Sequence, residues 1–235
     1  MHFAMPHPLP DDPDPALVRD TPPLDRLFAL CPVTDPVIVD GGANKGRITD
    51  RFLALFPHCR VLAFEPQPSL ARKLAKRFAA KARVTVRACA LGPHDGTAEL
   101  TVLSRRTLSS MLPPTGIHEK YAGQDLRETG RVTVPVVRLD TALPEGADII
   151  KLDLQGFELA ALRGATGILG RARLVLAETA FYPLYDGQPL FPELRDFLAA
   201  HGLAFEGLYD PFHDASGRLA SGDALFAAKS ACPGL

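Results

Sequence analysis

The feature that most constrains this chain is an alternation, from residue 37 onward, of short β-branched runs with amphipathic segments of helical period. Val37-Ile38-Val39 is apolar throughout and too short for a helix, as a strand buried on both faces should be. Ile48, Phe52, Leu55 and Phe56 then share one helical face, and Pro57 closes that helix. Residues 61–64 read as a second strand. Leu70, Leu74, Ala75 and Phe78 mark a second helix, and Val84-Thr85-Val86 a third strand. The βαβαβ order predicts an α/β protein with a parallel sheet covered on both faces.

The middle of the chain breaks the alternation. Residues 97–103 and 131–137 both read as strands, separated by a Ser- and Pro-containing loop, and predict an inserted β segment around 97–137. Residues 148–152 restore the pattern as a strand, followed by a largely helical stretch over 157–170 and a strand at Leu174-Val175-Leu176. Phe191, Leu194, Phe197 and Leu198 define a helix with Pro192 near its start and Gly202 beyond its end. Two last strands, near 203–208 and 224–228, flank a turn-rich stretch and predict an antiparallel hairpin. Seven of the 22 prolines fall within the first 23 residues. Residues 1–30 are therefore read as a proline-rich arm, with Leu24, Leu27, Phe28 and Leu30 spaced for a short helix, and residues 31–235 as a single domain.

Charge excludes several function classes. Lys plus Arg number 26 and Asp plus Glu 27 among 235 residues, a net charge of −1, which gives no bulk attraction to nucleic acid or an anionic membrane. Residues 60–87 do hold eight Lys or Arg against the single acid Glu65. However, Arg72, Lys73, Lys76 and Arg77 lie off the apolar helix face, as a solvated surface would. No apolar run approaches the roughly 18 residues of a membrane span, and the N-terminus lacks a basic start and apolar stretch. Cys31, Cys59, Cys89 and Cys232 are too widely spaced for a thiolate metal pair. These features predict a cytoplasmic chain with reduced thiols, and no pattern fixes an oligomeric state.

The chemistry concentrates after the first strand, in Asp40-Gly41-Gly42-Ala43-Asn44-Lys45-Gly46. A glycine loop there lets a ligand approach the backbone in the crevice of an open sheet. Its spacing is not the G-x-G-x-x-G of dinucleotide sites. Asp40 at its head would oppose a pyrophosphate and welcome a sulfonium or ammonium. Glu65, at the end of the second strand, suits both hydroxyls of a ribose. Together these acids point to S-adenosylmethionine rather than NAD, and no phosphate loop argues for ATP. Ala90, after the third strand, lies where an adenine would rest. Asp153 ends the fourth strand of the parallel series, near where a transferred methyl group should be. Glu178, at the end of the run 174–177, opens onto the same crevice. Glu158 fits a helix first turn, where a carboxylate complements the dipole. His94, His118 and His213 could reach an acceptor, but they read first as solvated loop residues. Residues 182–188 are read either as part of an acceptor pocket or as a structural loop with two tyrosines at its base.

The ordered set VIVDGGANKGRIT, VLAFEP, ALG, SSM, VRLD, IIKLDLQGFE and LAETAFYPLYDGQPLF resembles the FkbM family over roughly residues 35–229. The resemblance implies a class I methyltransferase with a Rossmann-like, mostly parallel seven-stranded sheet, an antiparallel C-terminal strand and helices on both faces. It also implies S-adenosylmethionine as methyl donor and a hydroxyl on a sugar, polyketide or similar small molecule as acceptor. Asp40, Gly42, Asn44 and Gly46 match the family's cofactor loop, to which Gly41 belongs, and Glu65 its ribose acid. Asp153, Gly156 and Glu158 match its D-x-E-G-x-E element, whereas Gln155 stands where the family commonly has Glu. Asp153 is the first candidate for the base that takes the acceptor's proton, and Glu178 the second. In a rival arrangement these two acids hold a divalent cation such as Mg²⁺. The competing readings are a non-catalytic S-adenosylmethionine-binding module and, opposed by Asp40, an NAD-dependent oxidoreductase.

Overall fold

A computed structural model describes residues 18–115, 121 and 125–228. Cys232, His118 and most of the proline-rich segment lie outside them. The chain runs α1 (Pro23–Leu30), β1 (Val37–Gly41), α2 (Arg47–Leu55), β2 (Arg60–Phe64), α3 (Pro68–Phe78), β3 (Val84–Arg87), β4 (Ala90–Leu91) and β5 (Gly96–Leu103). It continues through β6 (Glu128–Val137), α4 (Leu139–Ala142), β7 (Ile149–Leu152), α5 (Glu158–Arg163), α6 (Thr166–Leu169), β8 (Leu174–Ala180), α7 (Phe191–Ala200), β9 (Leu203–His213) and β10 (Leu219–Ala228).

The main sheet has seven strands in the order β3-β2-β1-β7-β8-β10-β9. β3, β2, β1, β7 and β8 pair in parallel, and β10 pairs antiparallel with both β8 and β9. Successive residues of the short central strands point to opposite faces, so both faces need covering. Val39, Ile150 and Val175 pack with Leu159, Leu162 and Leu198 from α5 and α7. Ile38, Ile149, Leu174 and Leu225 pack on the other face with Leu24, Leu27 and Phe52 from α1 and α2 and with Phe56, just beyond α2. A three-stranded sheet, β4-β6-β5, forms the insertion: β5 and β6 are antiparallel, while β4 pairs in parallel with β6.

The structure departs from the periodicity in three places. The helical stretch over 157–170 divides into α5 and α6, because Gly164 lies against the loop after β4. A Cβ there would stand 2.1 Å from the Gly92 carbonyl oxygen. β8 runs on to Ala180, so Glu178 sits inside the strand, opposite Asp223 of β10, rather than after its end. The hairpin strands are also longer than their apolar runs, at 11 and 10 residues. Mutual ladder hydrogen bonding carries them beyond the core.

α1 is built into the body. Leu27 is fully buried and Leu24 6% exposed. Arg26 donates to Glu206 Oε1 at 2.6 and 2.9 Å, and Arg19 N–H donates to the Leu208 carbonyl at 2.8 Å. Leu27→Ala should therefore lower stability by about 2–5 kcal/mol in denaturant unfolding. A loss under about 1 kcal/mol would show that α1 contributes nothing to the core.

Candidate active site

The cleft opens where the carboxyl ends of β1, β2 and β7 meet, the place where open α/β sheets take ligands. It encloses about 280 Å³. Beyond β1 the chain turns through Gly42, Asn44 and Gly46, all left-handed with φ of 75°, 50° and 78°. A Cβ on Gly42 would stand 2.0 Å from the Asp153 carbonyl oxygen, so only glycine lets the loop lie on the end of β7. Gly42 and Ala43 donate their N–H groups to the Phe64 carbonyl at 3.0 Å, and Asn44 N–H donates to Glu65 Oε2 at 2.9 Å. Glu65 accepts a second bond, on Oε1, from Gln67 N–H at 2.8 Å. Burial pushes the Glu65 carboxyl above the usual range against the pull of these two amides. Each oxygen keeps a further lone pair, which is what a vicinal diol requires.

Of the residues singled out in the sequence, Gly42, Asn44, Glu65, Ala90 and Asp153 lie on the cleft wall. Asp40, Gly41, Gly46 and Glu178 do not. Asp40 is still within the ladder, level with Ala63 and Lys151, so its side chain points to the sheet face under α2 rather than to the edge. It is fully buried and accepts from Thr49 Oγ1 at 2.6 Å. Its Oδ1 makes no hydrogen bond and faces Lys151 Nζ at 3.6 Å. The counter-charge of Asp40 is thus a lysine of the chain itself. Burial raises its carboxyl, while Lys151 and Thr49 pull it down less strongly.

Lys151 is the residue that sequence reasoning missed. In the run Ile149–Leu152 it sits among apolar neighbours, yet its Nζ lies 3.4 Å from the Gly41 carbonyl and 3.7 Å from Asp153 Oδ2. Burial works to deprotonate it. Asp153, Asp40, Asp223 and Glu178 together outweigh burial and move its pKa upward, so it stays an ammonium.

Gln155 ties the remaining acids together. It holds a left-handed backbone, φ 55°, and its Nε2 donates to Asp153 Oδ1 at 2.7 Å and to Glu178 Oε2 at 2.8 Å. Its Oε1 lies 2.9 Å from the Tyr185 hydroxyl, and its carbonyl accepts from Ser110 Oγ at 2.7 Å. Glu178 is thus joined to the cleft wall through this amide. Among the described residues, no group of three or more His, Cys, Asp or Glu could hold a metal ion. The NH₂ between Asp153 and Glu178 also places a donor where a cation needs acceptors, so this acid pair does not fit Mg²⁺. Residues 182–188 serve the same network: Tyr185 is 1% exposed, and Gln188 Oε1 accepts from the N–H groups of Leu184 and Tyr185.

The sheet order and the position of the cleft are those of the class I methyltransferase fold. The chain belongs to the FkbM methyltransferase family: residues 40–205 match the methyltransferase FkbM domain. It is 28% identical over 193 residues to the 2-O-methyltransferase NoeI of Sinorhizobium fredii, covering 76% of this chain and 77% of that one. It is 29% identical over 157 residues to methyltransferase sdnD of Sordaria araneosa, covering 56% and 61%. The crystal structure of a methyltransferase FkbM from Methylobacillus flagellatus superposes with a TM-score of 0.53 at 18% identity, over 82% of this chain and 44% of the other. No helix among the described residues is long and apolar enough to cross a membrane.

Glu158, at the start of α5, accepts from Leu154 N–H at 2.6 Å and Gly156 N–H at 3.3 Å and fixes the turn that carries Gln155. Burial pushes its carboxyl up to about 7 against these amides. The native state then keeps a proton that the unfolded chain releases above its ordinary pKa of 4.5. That contribution is complete below 4.5 and is lost as pH rises through about 7. Glu158→Gln should therefore flatten the fall in unfolding free energy between pH 5 and 7.5, by on the order of 3 kcal/mol. Parallel profiles for the two proteins would show that Glu158 titrates as an ordinary carboxyl.

Proposed function

We propose that this protein transfers the methyl group of S-adenosylmethionine to a hydroxyl of a small-molecule acceptor, such as a sugar, a polyketide or a related natural product. The observation that carries the reading is the placement of Asp153. Its side chain is 44% exposed on the cleft wall, at the end of β7, with Glu65 on the same wall. In this reading Glu65 accepts the ribose hydroxyls, the corner at Ala90 takes the adenine, and the loop 42–46 backs the rest of the cofactor. Loop amides already bonded to Phe64 and Glu65 support a donor without a pyrophosphate. The name of the NoeI relative, a 2-O-methyltransferase, supports oxygen as the acceptor atom.

Methyl transfer needs the acceptor oxygen held in line with the sulfonium, and most of the rate gain comes from that positioning. As the new C–O bond forms, the S–C bond breaks and its electrons return to sulfur. The hydroxyl proton passes to Asp153, while Glu178, off the cleft wall and bonded to the Gln155 amide, stands behind it.

Calorimetric titration with S-adenosylhomocysteine, with NAD and ATP as controls, tests the cofactor. Saturable binding of S-adenosylhomocysteine alone is expected, and tighter binding of NAD would overturn the reading. In a screen of hydroxylated acceptors, Asp153→Asn should lose about 10²-fold or more in turnover while binding S-adenosylhomocysteine about as well as the native protein. Full turnover in that variant would remove Asp153 as the base.

A further inference from the structure

We propose that Gln155 is a positioning residue, whose uncharged amide donates one hydrogen to each of two carboxylates and so locks Asp153 and Glu178 into a single arrangement beside the cleft. The proposal concerns the proposed catalytic pair and rests on that reading for its functional meaning. Its geometry stands independently.

Counting donors and acceptors decides the matter. A glutamine amide has two N–H donors and one carbonyl oxygen, and an ionised carboxylate has acceptors only. The two acids lie 2.7 and 2.8 Å from Nε2, so both of its hydrogens have an acceptor. The opposite orientation would set Oε1 against two carboxylates. The acids thus fix which way the amide faces. Oε1 then falls to Tyr185, whose hydroxyl lies 2.9 Å from it and 3.1 Å from the Leu108 carbonyl. A phenol has one hydrogen, and Oε1 is a second acceptor competing for it. The backbone is held as firmly as the side chain. Gln155 adopts φ 55°, a conformation that disfavours side chains, and Ser110 Oγ binds its carbonyl at 2.7 Å. A strained residue anchored at both ends, with its amide filling a gap between two acids, is built for that gap.

Glutamate at the same position would bring a third carboxylate within hydrogen-bond distance of both Asp153 and Glu178. One of them would then have to keep a proton at neutral pH, because like charges this close cannot all ionise. Among the described residues, the other ionisable groups around the cluster are Lys151 from β7, Asp40 from β1, Asp223 from β10, Glu158 from α5, Tyr185 and Tyr121. Lys151 is already shared among Asp40, Asp153, Asp223 and Glu178.

The test compares native protein, Gln155→Glu and the double variant Gln155→Glu/Glu178→Gln by thermal melting from pH 6 to pH 8. Gln155→Glu should lose about 4 °C or more of Tm relative to native between those limits, the size of one pKa unit in a chain of this length. The double variant removes one of the three carboxyls but leaves those at positions 153 and 155 side by side, so it should recover part of that loss. A Gln155→Glu protein whose Tm follows the native pH profile overturns the proposal, and so does a double variant that recovers nothing. If Gln155→Glu fails to fold at pH 8, folding of the double variant decides in the same way. Melting requires no ligand, so failure of the lock is distinguishable from failure of S-adenosylhomocysteine to bind native protein, which would overturn the functional reading alone.

Discussion

The ammonium of Lys151 is the charge on which the arrangement of this site depends. A lone lysine buried in the middle of a sheet would be strongly disfavoured, and so would the fully buried Asp40 beside it. Each makes the other tolerable, and Asp153, Glu178 and Asp223 draw on the same positive charge. The contributors come from β1, β7, β8, β10 and the turn after β7, so the register of the central strands is also the register of the electrostatics. Slipping one strand by a residue would send its polar side chain to the other face, leaving a buried charge uncompensated, which costs about 3–5 kcal/mol.

From that centre the site divides into two halves with different physics. Towards β2 the contacts are backbone to carboxylate: Glu65 gathers amides from Asn44 and Gln67 and so defines the loop's shape. Towards β8 they are side chain to side chain, through Gln155, Asp153, Glu178 and Tyr185. Loop residues 104–115 touch both halves. Gln67 Nε2 donates to the Arg106 carbonyl at 2.8 Å, and Ser110 Oγ donates to the Gln155 carbonyl at 2.7 Å. The inserted sheet, which looks peripheral in the topology, therefore supplies the segment that joins them.

Much of this was legible in the chain itself. Short apolar runs and helix periodicity located every strand of the parallel series, and residues 97–103 and 131–137 announced the insertion. The left-handed loop could be anticipated from its glycines, and Glu65 from its place after the second strand. What local pattern could not convey was direction. Asp40 looked like a loop-head acid, yet one more rung of ladder turns it inward. Lys151 passed unnoticed because its four partners are scattered along the sequence from Asp40 to Asp223. Gln155 stood out only as a departure from a family pattern. Its meaning needed the distances to Asp153 and Glu178. The extension of β8 past Glu178 likewise came from pairing with β10 rather than from propensity.

The commitment of the Asn44 amide to Glu65, and of the Gly42 and Ala43 amides to the Phe64 carbonyl, has a consequence for what the cleft can admit. A phosphate-bearing nucleotide approaching this loop meets an anion that is already seated and tethered to the same chain. A tethered competitor acts at an effective concentration in the millimolar range or above, and it needs no translational entropy to return. Free phosphate esters face that competition at every encounter, whereas a ligand that presents hydroxyls to Glu65 uses the resident carboxylate instead of displacing it. A phosphate at this loop would thus have to compete for the N–H groups of Gly42, Ala43 and Asn44 with acceptors of the chain itself.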